Sequence, residues 1–208
     1  GVTMLLQDLH NTASGRIYIV GNGPSLLSQN LDWLAGEQTF TCNRFSDWEG
    51  AFVPTYHMCS KSVVEKGLEP SDPPFQKYKF IGGYGDGAMD GWVYVRKRRS
   101  MPLSGLGDTM DHVRTKASQA FVMAQVALWM GYRDIRLMGV EQKGDGHVFD
   151  PEGSFIPFMP APEGQVVYEW ARLREYAEAG GATITDLTPD GMLAAVLPTE
   201  SYENIYAR

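Results

Sequence analysis

The chain has 208 residues, enough for one well-packed domain and too few for two full ones. Its 18 basic residues against 25 acidic ones give a formal charge of −7, which argues against a general nucleic-acid binder. No apolar run reaches membrane-spanning length and no basic segment leads into an apolar core as in a secretory signal, so the expected location is the cytoplasm.

Residues 16–20 (RIYIV) read as a first strand and residues 38–42 (QTFTC) as a second. A short helix over residues 25–34 joins them as a βαβ unit. Cys42 and Cys59 are the only cysteines and neither has a zinc-ligand spacing, so both are expected as reduced, partly buried thiols. Residues 55–59 (TYHMC) and 78–83 (YKFIGG) read as further strands; the intervening EPSDPP is loop, because clustered prolines hold neither a helix nor a central strand. Residues 82–91 are glycine-rich, a mobile or site-lining loop, followed by the short strand WVYV. The basic cluster RKRR at 96–99 reads as a solvated loop, with a phosphate or acidic-substrate contact as the alternative.

Residues 115–130 (TKASQAFVMAQVALWM) are apolar nearly all round, as in a helix buried against a sheet. Gly131 stops that helix, and Ile135, Leu137 and Val140 continue into a core strand. Val166, Trp170, Leu173 and Ala177 form one stripe of an amphipathic helix, and GGATITDL then gives a helix stop and a last strand. Strands alternating with helices predict an α/β fold: a Rossmann-like, doubly wound, mostly parallel sheet with helices on both faces. It forms a single domain over residues 1–208, with a small lid-like insertion over residues 144–165.

In such a sheet the first βα turn lies at the carboxyl end of a central strand, where ligands bind. Here that turn is GNGPS: Gly21, Asn22, Gly23, Pro24 and Ser25. Its glycines permit a sharp turn and close backbone approach, and the start of the following helix suits a phosphate, which Ser25 can reach or cap against. A purely structural turn is the alternative. Asn22 and Asn43 each follow a predicted parallel strand, so both amides face one crevice and are placed to read a base or ribose.

The stretch IYIVGNGPSLLSQNLDWLAGEQTFTCNRF resembles the start of bacterial sialyltransferases of the Campylobacter and Haemophilus type, where an AGNGPSL turn is followed by a strand ending in CN and an aromatic. The resemblance returns at MAQVALWMGYRDIRLMGVE, where that family has a small-residue helix, a GY turn and a strand ending in SGID, and continues through HVFD to DLTPDGMLAAVLP. The same N-terminal pattern occurs in a broader Rossmann-like group containing motility accessory proteins and a pterin diphosphokinase. The resemblance implies that Asn22, Gly23 and Ser25 lie on a nucleotide with Asn43 beside its ribose or base. It implies further that Ser118 and Gln119 stand near the phosphate and that Glu141 replaces a family aspartate. Two departures stand out. His147 occupies the place of a family tyrosine, and the lid-like PEGSFIPFMPAPEGQ lacks the family's histidine base.

Of the four histidines, His147, in a loop after a strand, and His57, beside the third strand, are the candidate catalytic residues, as acid or base. No carboxylates fall in a recognised metal spacing, so neither metal nor cofactor is expected. The functional expectation is a glycosyltransferase that takes a nucleotide-activated sugar, a CMP-sugar by the resemblance, and passes the sugar to a hydroxyl acceptor. The alternatives are a pterin diphosphokinase-like transferase and a nucleotide-binding module without catalysis. A homo-oligomer is left open.

Overall fold

The apolar run RIYIV becomes the central strand β1 (Arg16–Val20), buried beyond the exposed Arg16. The structure is a computed structural model and describes residues 4–47, 52–69, 71–85, 87–142 and 162–206. The chain steps outward from β1 through β2 (Thr39–Cys42), β3 (Tyr56–Ser60), β4 (Tyr78–Gly83), β5 (Val93–Arg98) and β6 (Val113–Arg114). It then returns through a helix to the other side of β1, where β7 (Asp134–Met138) and β8 (Thr183–Asp186) complete the sheet. The order is β6-β5-β4-β3-β2-β1-β7-β8, and every pairing is parallel. The strand order therefore reverses between β1 and β7, a switch point of the kind at whose carboxyl ends ligands bind in open α/β sheets.

Among the described residues four α-helices, α1 (Lys61–Glu65), α2 (Gln119–Met130), α3 (Glu163–Ala179) and α4 (Tyr202–Tyr206), complete an α/β Rossmann-like architecture. In α2 every residue from Ala120 to Met130 is buried, as its all-round apolar character requires. Gln125 is tolerated among them because its amide is satisfied: Nε2 donates to the carbonyls of Arg114 (2.8 Å) and Phe121 (3.1 Å), and Oε1 accepts from the Ser104 and Arg114 N–H groups. Gly131 closes the helix at φ 114°, a conformation that strongly favours glycine. The stripe of α3 buries Val166, Trp170, Leu173 and Ala177, and Trp170 meets Phe121 of α2 edge-on at 5.3 Å. The Tyr18 and Val20 face of β1 packs with Leu26, Leu31, Leu34, Phe45 and Tyr202 of α4. Among the described residues no helix is long and apolar enough to cross a membrane.

Three expectations change. Residues 25–34 form two 3-10 turns, Pro24–Ser28 and Leu31–Leu34, instead of one α-helix. Asn30 causes the break: its side chain accepts the Asp32 N–H at 3.1 Å and starts the second turn, a competition with helix at which Asn is proficient. The cluster RKRR is mostly strand, since β5 runs through Arg98, and the alternation Val93, Val95, Lys97 carries Lys97 inward to 7 % exposure. The end of the expected lid, residues 163–165, is the first turn of α3, while 144–161 lie outside the described residues.

Candidate functional site

At this switch point the chain leaves β1 as Gly21–Ser25 and leaves β7 as Gly139–Glu141, and the two segments touch. Gly21 N donates to Met138 O and Gly23 N to Gly139 O, both at 2.8 Å. A Cβ on Gly21 would lie 2.5 Å from the Gly139 carbonyl oxygen; one on Gly23 would lie 2.6 Å from it and fall on the Glu141 carboxylate. The glycines are needed because two backbones and a side chain share this space. Glu141 Oε1 accepts the Ser25 N–H at 2.8 Å, so the donor at the head of the turn is already taken by a carboxylate of the chain itself. The chain thus supplies its own anion there.

Asn22 reaches across to β2, donating through Nδ2 to the Cys42 carbonyl at 3.1 Å, beside Asn43. Asn43 begins a 3-10 turn with φ 54°, a left-handed conformation that asparagine adopts more readily than other side chains. Ser118 and Gln119 are the N-cap and first residue of α2, which starts at the carboxyl edge of the sheet because it carries the chain from β6 back to β7. Ser118 makes no capping bond.

These residues share one property. Asn22 Oδ1, Ser25 Oγ, Asn43 Oδ1, Ser118 Oγ, Gln119 Nε2 and Glu141 Oε2 are all buried atoms with no hydrogen-bond partner among the described residues. Native proteins leave few such groups, each at a cost of about 1–3 kcal/mol, and here six gather at one sheet edge. Asp186, not singled out in the sequence, belongs with them: Oδ1 accepts the Thr188 N–H at 3.0 Å, while Oδ2 is buried with no partner among the described residues. Burial, aided by the nearby Glu141 charge, pushes its carboxyl up to about 6. The sequence signal was an acid at the carboxyl end of the last strand, in TITDL.

The fold resembles that of a sialyltransferase. The sialyltransferase CstII from Campylobacter jejuni, in complex with a substrate analogue, CMP-3FNeuAc, superposes with a TM-score of 0.50 at 12% identity, over 89% of this chain and 85% of that one. A second structure of CstII, with cytidine-5'-monophosphate, gives 0.46 at 13% identity, over 88% and 83% of the two chains. No family model and no curated protein sequence matches the chain.

The candidate catalytic residues fall differently. His57 lies within β3 at 1 % exposure, with Nδ1 2.7 Å from the Thr41 hydroxyl. Burial pushes its pKa down to about 4, against a smaller upward pull from the Asn43 backbone, so the ring is neutral at pH 7 and enclosed by the sheet. His147 lies outside the described residues. Cys42 and Cys59 are buried free thiols, and burial pushes the Cys42 thiol up to about 12, so it is inert at neutral pH.

Proposed function

We propose that the chain is a glycosyltransferase whose donor is a nucleotide-activated sugar, a CMP-sugar, bound along the carboxyl edge of the sheet and transferred to a hydroxyl acceptor. The six unpartnered polar atoms carry this reading, because they lie on the segments after β1, β2 and β7 and at the start of α2, where an elongated polar ligand would satisfy all of them. Glu141 Oε2 and Asn22 Oδ1 accept from ribose hydroxyls, the chemistry an acceptor-rich turn favours over a phosphate. The phosphate lies at Ser118 and Gln119, where the first N–H groups of α2 and its dipole favour negative charge. The Asn43 amide reads the base.

In the reaction the acceptor oxygen bonds to the anomeric carbon as the bond from that carbon to the phosphate oxygen breaks. The electron pair leaves with CMP and the acceptor proton passes to a base, for which we propose His147, since His57 is enclosed. Donors at the start of α2 stabilise the departing charge.

The test is a thermal-shift series with CMP, UMP, AMP, GMP and a CMP-sugar, followed by measurement of CMP release with a hydroxyl acceptor. Selective stabilisation by the cytidine ligands and CMP release that His147→Asn depresses by about 10²–10⁴-fold are expected. Stabilisation without release identifies a binding module, and no stabilisation by any nucleotide removes the reading.

A further inference from the structure

His57 is enclosed and takes no part in the transfer step, yet it lies beside Asn43. Phe40, Cys42, Tyr56 and Met58 belong to the core that α2 covers, so the alternation of β2 and β3 sends Thr41 and His57 to the other face of the sheet. There the two residues pair in register, and His57 Nδ1 lies 2.7 Å from the Thr41 hydroxyl. The turn Asn43–Asp47 folds over the same face, where Phe45 packs with Tyr18 and Val20, and it lies against β3. Its first residue comes close enough for the Asn43 backbone to act on the ring.

Asn43 holds φ 54°, and its Oδ1, which could support that conformation by a local hydrogen bond, is buried with no partner among the described residues. A left-handed residue other than glycine persists where its surroundings over-determine it, and such residues gather at ligand-binding sites. What surrounds Asn43 is a chain fixed at the two positions before it. His57 meets the Thr41 side chain, and Asn22 Nδ2 donates to the Cys42 carbonyl at 3.1 Å. The His57 ring is 1 % exposed, and its Nε2 has no partner among the described residues. An apolar ring would fill the same space without burying that nitrogen, so packing alone does not account for a histidine here.

We propose that His57 is a positioning residue: through Thr41 and the turn that follows, it holds Asn43 in the left-handed conformation that turns its amide to the nucleotide base, and so sets the preference between cytosine and uracil. The proposal rests on the reading of Asn43 as the residue that contacts the base. Cytosine carries an amino group where uracil carries a carbonyl, so an amide held in one orientation offers its oxygen to the first or its nitrogen to the second. A loosened turn lets the amide rotate and serve both.

The test titrates the full chain with CMP and UMP, with thermal unfolding of each ligand-free protein alongside, in wild type, Asn43→Ala, His57→Phe, His57→Asn, Thr41→Val and the double variant His57→Phe/Asn43→Ala. Wild type is expected to prefer CMP. His57→Phe lowers that preference by about 3- to 10-fold, and His57→Asn, whose amide can still meet the Thr41 hydroxyl, lowers it less. The double variant loses no more than Asn43→Ala alone, because His57 acts through Asn43. A merely structural histidine would weaken CMP and UMP alike and add its loss to that of Asn43→Ala. If His57→Phe does not fold, Thr41→Val, alone and combined with Asn43→Ala, carries the same expectations. An unchanged preference in the folded single variants, or additive losses in the double variant, overturns the proposal and leaves the donor reading in place. Wild type that binds the two nucleotides equally or binds neither, or Asn43→Ala that keeps the wild-type preference, removes the reading of Asn43 and the proposal with it.

Discussion

Glu141 follows β7 and Asp186 ends the neighbouring β8, and each keeps one buried carboxylate oxygen with no partner among the described residues. Asp186 has a folded pKa of about 6 against an ordinary 3.8, so the folded state holds its proton more tightly than the unfolded state between those values. Its contribution to stability is therefore full below pH 3.8 and is lost as pH rises to about 6, a loss of at most about 3 kcal/mol. Asp186→Asn, which can still accept the Thr188 N–H, is expected to be more stable than wild type at pH 7 and equal to it below pH 4, as read by urea unfolding across pH. His57 works in the opposite sense. Its folded pKa of about 4 lies below the ordinary 6.5, so it withdraws stability as pH falls through that window. The acid limb should accordingly steepen in Asp186→Asn. At Gly23 the crowding is local: Gly23→Ala is expected to cost about 1–3 kcal/mol through collision with Gly139 and Glu141. Glu141→Ala in the same chain recovers part of that, because only the Gly139 backbone then remains in the way; a double-mutant cycle by thermal unfolding measures the coupling.

Among the elements, β1 and β4 were legible because apolar runs end in glycines, and α2 because its residues are apolar on every side and Gly131 follows. The turns over residues 24–34 were not, since the spacing of Leu26, Leu31 and Leu34 buries one face in a 3-10 turn as well as in an α-helix. Lys97 was hidden for the converse reason: a run of four basic residues looks solvated, and only the alternation begun by Val93 and Val95 places one of them inside. The bond between Glu141 and Ser25 joins residues 116 apart and leaves no local trace. The tie between α3 and β6 is similarly non-local. Arg114 donates to both oxygens of Glu169, at 2.6 and 2.7 Å, and Glu169 is 2 % exposed. Glu169→Ala strands the guanidinium in a half-buried position and is expected to cost about 3–5 kcal/mol in chemical unfolding, far more than an exposed ion pair such as Arg174 with Glu178.

Across the whole molecule, one topological fact organises the site. The return from β6 to β7 brings the start of α2 to the edge where β1 and β2 end, so residues 22, 43, 118 and 141 lie along one rim. Buried polar atoms left without partners among the described residues cost stability there, which in the proposed function the nucleotide restores. Ser118→Ala and Ser25→Ala separate this account from a structural one most directly. A serine N-cap ordinarily contributes about 0.5–2 kcal/mol, yet among the described residues Ser118 makes no capping bond and Ser25 Oγ has no hydrogen-bond partner. Calorimetric titration of CMP, paired with thermal unfolding of the ligand-free proteins, is the decisive measurement. The account predicts that both variants match wild type in stability without ligand and bind CMP more weakly, by about 0.5–1.5 kcal/mol for each lost hydrogen bond. Wild type that does not bind CMP, or variants that lose stability while binding CMP unchanged, would contradict it.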